Sequence, residues 1–133
     1  MREILFRGKR KDNGEWVEGN LFIPDISDTP TQICIGTNVV RITYDIVPET
    51  VGQYTGLNDK NDTKIFEGDI LKTNKFSEPN KQYIVKFDLQ FGAYIGQDKF
   101  NIYFVTFDGD SDQFEVIGNI HDNPELLKEA EQE

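Results

Sequence analysis

The chain has 133 residues, 37% of them hydrophobic and 12% aromatic, and a formal net charge of -10. That length suits one domain, and the apolar content excludes intrinsic disorder. No apolar run reaches the ~18 residues of a membrane span, and one cysteine, Cys34, excludes a disulfide framework or a multi-cysteine metal site.

Strand signals dominate the chain. Residues 3–7 read as a short strand, and Asp12-Asn13-Gly14-Glu15 supplies turn chemistry, because Asn and Gly tolerate positive φ. Residues 16–23 read as the return strand, so 3–23 is expected to be a hairpin. A polar loop follows at 24–31, with Pro24 and Pro30. A strand pair is expected at 32–35 and 39–47, joined by Gly36-Thr37-Asn38. In its second strand Val40, Ile42, Tyr44 and Ile46 alternate with polar residues, a period of two that buries one face.

Residues 48–51 suggest a helical turn or a tight corner, and 52–64, rich in Gly, Asn and Asp, read as a loop or hairpin tip. Strands are expected at 70–72, 82–87, 91–95, 100–107 and 114–120. Polar loops at 73–80 and 108–112 separate them. The one helix signal comes last: Asn123 as cap, Pro124 at the first position, Glu125 at the positive end of the dipole, then Leu126, Leu127 and Ala130.

The acidity is uneven. Residues 1–66 carry 8 basic and 10 acidic side chains, and residues 67–133 carry 6 and 14. A negative field repels phosphate backbones and anionic membranes, so nucleic acid is disfavoured as a partner and no membrane is expected. With Arg2 and Glu3 and no apolar stretch behind them, no secretory leader is expected. The local exception is Arg7-Gly8-Lys9-Arg10-Lys11, which reads either as solvated surface or as a contact patch for phosphate or carboxylate.

No catalytic set assembles. His121 is the single histidine, and Ser27, Ser77 and Ser111 lack a nucleophile-elbow pattern. Cys34, between Ile33 and Ile35, is expected to be a buried, inert thiol. Asp108-Gly109-Asp110-Ser111-Asp112 begins like a calcium loop, but Gln113 and Asn119 stand where its Gly and Glu belong. Residues 52–56 lack the ending of a phosphate-binding loop. Glu67-Gly68-Asp69 reads as a turn that caps itself through Asp69. Phe87, Phe91, Tyr94, Phe100, Tyr103, Phe104 and Phe107 alternate without interleaved cations, so most are expected in the core rather than as stacking platforms for nucleic acid.

Three ordered blocks carry a family resemblance. The first runs from Met1-Arg2-Glu3-Ile4 through Phe6-Arg7-Gly8-Lys9-Arg10 to Gly14-Glu15-Trp16-Val17-Glu18-Gly19. The second is Val51-Gly52-Gln53-Tyr54-Thr55-Gly56-Leu57 with Asp59-Lys60-Asn61, running into Ile65-Phe66-Glu67-Gly68-Asp69-Ile70. The third is Phe114-Glu115-Val116-Ile117-Gly118-Asn119-Ile120 with Asp122-Asn123-Pro124-Glu125-Leu126-Leu127. Together they resemble the YopX family of phage and prophage proteins. The likeness implies an SH3-like barrel or roll in the second part of the chain and action in the cytoplasm of a bacterial host. It implies no activity, cofactor or catalytic residue. Asn61-Asp62-Thr63 stands where Asn-Gly is common.

The expected fold is mainly β: a small SH3-like barrel or roll with an N-terminal hairpin region and a short C-terminal helix. It forms one domain over 1–133, or two packed lobes over 1–50 and 51–133. The leading functional expectation is a non-enzymatic protein-interaction module that binds a host or phage protein. The alternative is a nucleic-acid-binding small barrel. Arg7, Lys9, Arg10, Lys11, Trp16 and Tyr54 are the candidate binding surface, with core packing as the competing role of Trp16 and Tyr54. Short edge strands also leave homo-oligomerisation open.

Overall fold

A computed structural model describes residues 3–25, 28–36, 39–73, 81–98, 104–107, 109 and 111–127. The expected turn at Thr37 and Asn38, the loop at 74–80, Phe100 and Tyr103, Asp108 and Asp110, and the helix beyond 127 lie outside these residues. The chain divides into two compact units, Met1–Tyr54 and Thr55–Glu133.

The first unit holds β1 (Phe6–Lys9), β2 (Trp16–Phe22), β3 (Gln32–Gly36) and β4 (Arg41–Asp45). It also holds the start of β5 (Gly52–Asn58). The sheet order is β4-β3-β2-β1-β5, all antiparallel. Gly14 closes the first hairpin at φ 73, where a side chain would be strained. Ile33 and Ile46 are completely buried. Gly8 faces them: a β-carbon there would stand 2.5 Å from Ile46 Cγ2.

The alternation along β4 defines one face, as expected, but burial stops short of its end. Ile46 is buried, whereas Val40 is 69% and Ile42 55% exposed. Cys34 also departs from expectation. It is half-buried, with Sγ 3.5 Å from Thr43 Oγ1. In a strand the neighbours of a residue point to the opposite face, so Ile33 and Ile35 do not carry Cys34 into the core.

A 3-10 turn, Pro48–Thr50, interrupts the path from β4 to β5. Its gap in the main-chain ladder is filled by a side chain. Thr50 Oγ1 accepts the Lys9 N–H at 2.8 Å and donates to Val47 O at 2.6 Å. Thr50→Val keeps the shape and removes the acceptor of the Lys9 N–H, while Val47 O keeps the Thr50 main-chain N–H at 3.0 Å. The expected loss is about 1–3 kcal/mol, read in urea through the fluorescence of Trp16, which lies in this unit. An unchanged midpoint would show that the hydroxyl is dispensable.

In the second unit β6 (Lys64–Phe66) lies beside β5. Residues 52–58 belong to the segment 52–64 that was expected as a loop or hairpin tip, and the tip lies at 59–63. Residues 52–58 form a strand because backbone pairing and the Thr55 hydroxyl, which donates to Ile65 O at 2.8 Å, replace the missing apolar side chains. Gly56 turns the strand at φ 86, and Asp62 takes the left-handed position of the tip at φ 64. The other sheet is β7 (Asp69–Thr73), β8 (Lys81–Asp88), β9 (Ala93–Gln97), β10 (Phe104–Thr106) and β11 (Phe114–Asn119). Its order is β10-β9-β8-β7-β11, antiparallel throughout. The core joins Ile65, Leu71, Tyr83, Val85, Phe107 and Phe114.

The fold is therefore mainly β, built from two open antiparallel sheets. No closed barrel forms among the described residues. Residues 125–127 begin the short C-terminal helix, with Leu126 N–H donating to Asn123 O. The Asn123 side chain does not cap that helix. Its Oδ1 accepts the Asn119 N–H at 3.2 Å instead.

Candidate functional site

Strand geometry decides what the basic run can present. Arg7 and Lys9 lie on one face of β1, and Gly8 and Arg10 lie on the other. Trp16 sits directly opposite Lys9 on β2 and diagonal to Arg7. Both cations close on its ring. The Arg7 guanidinium carbon is 4.7 Å and Lys9 Nζ 5.5 Å from the ring centroid. All three side chains are half-buried. Two cations over one indole make an amphipathic surface, stabilised by the ring quadrupole.

Arg10 forms a second cluster on the opposite face. Its guanidinium lies 4.5 Å from the centroid of Tyr44 and grips Asp12 through two hydrogen bonds, of 2.9 and 2.6 Å. The hydrogen bond from Arg10 holds the Asp12 carboxyl below the usual carboxylate range and raises Arg10 above its own. Lys11 is exposed past the end of β1. A cleft of about 460 Å³ opens there, lined by Arg10, Lys11, Asp12, Thr43, Tyr44 and Asp45.

The structure thus brings Arg7, Lys9 and Trp16 together and sets Arg10 and Lys11 apart from them. Tyr54 is not on this surface. It is 7% exposed, and its N–H donates to Leu5 O at 2.8 Å, so packing is its role. Tyr44, which completes the Arg10 cluster, was not singled out from the sequence. Its only signal in the sequence was the alternation over residues 40–46.

A second surface was missed. Phe87, Phe91 and Phe104 are exposed, not buried as the alternation suggested, and Leu89 is exposed as well. Phe87 packs edge-on against Tyr94 with centroids 5.2 Å apart, and Phe91 packs against Phe104 at 5.1 Å. Of the aromatic set, Phe107 alone among the described residues is fully in the core.

The polar residues of the Gly- and Asp-rich segments are engaged in architecture. Asp59 is buried, and its carboxylate accepts three main-chain N–H groups: Asn61 and Thr63 on Oδ1, Val116 on Oδ2, each at 2.9 Å. That ties the β5–β6 tip to β11 beside the bulge between Val116 and Gly118. Asp69 is buried and accepts the Phe66 N–H at 2.8 Å, closing the turn in which Gly68 has φ 89. The His121 N–H donates to Asn119 Oδ1 at 3.0 Å. Among the described residues no group of three or more His, Cys, Asp or Glu is placed to hold a metal ion. No helix there is long and apolar enough to cross a membrane.

Comparison with known proteins agrees with this architecture. The profile of the family described as YopX protein matches residues 5–128. The crystal structure of protein EF1440 from Enterococcus faecalis superposes with a TM-score of 0.57. The two chains are 24% identical, and the match covers 96% of this chain and 99% of that one. That likeness speaks to the fold. No curated protein matches the chain.

Proposed function

The chain belongs to the YopX family, and on that premise we propose that it is a protein-interaction module, a non-enzymatic phage or prophage accessory protein that binds a host or phage protein in the bacterial cytoplasm. One observation carries this reading: Trp16 is partly exposed, with Arg7 and Lys9 against its ring. Trp and Arg lead the residues that anchor protein interfaces, and a pre-stacked pair loses little side-chain freedom on binding.

Two further features support it. Buried carboxylates that could have served acid/base chemistry, Asp59 and Asp69, are committed to main-chain N–H groups. A nucleic-acid ligand would need the basic run to track phosphates. Strand alternation divides that run between two faces, and Asp12 already neutralises Arg10.

The test is capture from host lysate on the tagged full chain, with and without nuclease. The comparison variants are Trp16→Ala, Lys9→Gln and, as a control in the second unit, Lys86→Gln. The reading expects one protein that survives nuclease and binds the control fully. Trp16→Ala should lose it and Lys9→Gln should weaken it, with folding checked by circular dichroism. Recovery that vanishes with nuclease would sink the reading and favour nucleic acid.

A further inference from the structure

The register of β3 and β4 fixes which main-chain groups of β4 face outward. Ile46 N–H donates to Thr31 O at 2.9 Å, and the pairing continues through Ile33↔Tyr44 and Ile35↔Ile42. In an antiparallel ladder hydrogen-bonded pairs alternate with non-bonded ones. Residues 42, 44 and 46 therefore bond to β3, and the N–H and C=O groups of 41, 43 and 45 point to the other side. Two contacts agree. Lys11 N–H donates to Asp45 O, and Val47 N–H donates to Lys9 O, both at 2.9 Å. The outer lane of β4 is thus filled by residues 9–11 along its last part. Residues 12–15 then turn away to β2, and among the described residues no strand continues the lane over 41–43. The cleft lined by Arg10, Lys11, Asp12, Thr43, Tyr44 and Asp45 marks where the filled part ends.

We infer that the outer edge of β4 over residues 41–43 is a docking lane for an extended, acidic segment of the partner protein, which adds to the sheet as a strand. The inference rests on the protein-interaction reading and names how the partner is held. Edge strands present a row of main-chain groups that accept another strand, and alternate side-chain contacts give selectivity. Here the lane already accepts one strand of this chain, so its geometry suits another in line with it. Exposed Ile35, Val40 and Ile42 offer apolar contacts on one face. Lys11 at the cleft and Arg41 at the far end are exposed cations, while Asp12 is held by Arg10 and Asp45 by Gln32. An acidic segment matches that pattern. A second copy of this chain, paired through the same lane, does not: it would set the same cations on both sides of the lane.

Selection of random linear peptides on the full chain tests the inference, followed by affinity measurement on variants. Thr43→Pro removes an outward N–H and no β3–β4 bond, which an edge strand tolerates. Lys11→Glu reverses the charge at the cleft. The expected selection yields peptides that alternate apolar and acidic residues. Their binding should fall about tenfold with Thr43→Pro, and also when alternate peptide amides are N-methylated on the unchanged protein. It should weaken with Lys11→Glu. The N-methylated peptides decide the matter if Thr43→Pro fails to fold. No enrichment, enrichment of basic peptides, or affinity indifferent to N-methylation would overturn the lane. If lysate capture is lost with Trp16→Ala but kept by a folded Thr43→Pro, the lane falls and the interaction module stands. If nothing is captured by the unaltered chain, the module itself falls.

Discussion

Asp59→Ala is expected to destabilise the second unit by roughly 3–5 kcal/mol, because three main-chain donors lose one charged acceptor in a buried site. The donors are Asn61 and Thr63 in the β5–β6 tip and Val116 in β11, 57 residues along the chain. Asp59 is 5% exposed, so water cannot easily replace its carboxylate. Against a typical domain stability of ~5–15 kcal/mol this is a large fraction. Asp59→Asn should cost less but still be damaging, since its amide would set a donor against a donor at one of the two positions. Urea unfolding followed by far-ultraviolet circular dichroism measures both. A shift for Asp59→Ala below about 1 kcal/mol would mean that the tip repacks or that water enters, and the architectural role of this segment would be withdrawn.

Phe114→Ala should be comparably severe. Phe114 is completely buried, with Phe107 edge-on at 5.2 Å and Tyr83 at 6.4 Å. Truncation removes the transfer energy of the ring, leaves a cavity and ends both aromatic contacts, for about 3–5 kcal/mol. Phe114→Leu refills most of the volume and should recover much of that loss. Near-ultraviolet dichroism from Tyr83 reports the packing directly. Equal stability of the Ala and Leu variants would contradict a tightly packed core here. Trp16 lies in the other unit, so its fluorescence separates local from shared effects in both series.

Much of the strand pattern could be read from alternation and turn residues. Residues 82–87 and 114–120 carry enough Val, Ile, Tyr and Phe to announce strands, and β8 and β11 lie there within a residue or so. Residues 52–58 could not be read that way. Gly52, Gly56 and Asn58 are poor strand formers, and what makes the segment a strand is pairing to a partner distant in sequence. The three residues of β6 are too few to show a period. The role of Asp59 was equally hidden, since one of its donors is Val116.

Burial was the less legible quantity. Period two assigns residues to a face but does not say how far along the strand that face is covered. Ile42 and Ile46 share a face of β4, yet one is exposed and the other is not. The same gap led Phe87, Phe91 and Phe104 to be read as core when they lie at the surface. At the candidate site the run of four cations in five residues was visible. Its division was implicit in the alternation of β1, which sends Arg7 and Lys9 to Trp16 and Arg10 to Tyr44. Without the register of β2 and the bridge from Arg10 to Ile46, neither aromatic partner could have been assigned.

The measurement closest to the central claim is amide hydrogen exchange of the full chain, alone and with the protein it captures. The account predicts added protection in the first unit, centred on β1, β2 and the outer edge of β4. It predicts little change at the β5–β6 tip held by Asp59. Protection confined to the second unit, around residues 87–94, would contradict it and move the binding surface to the exposed aromatic pairs.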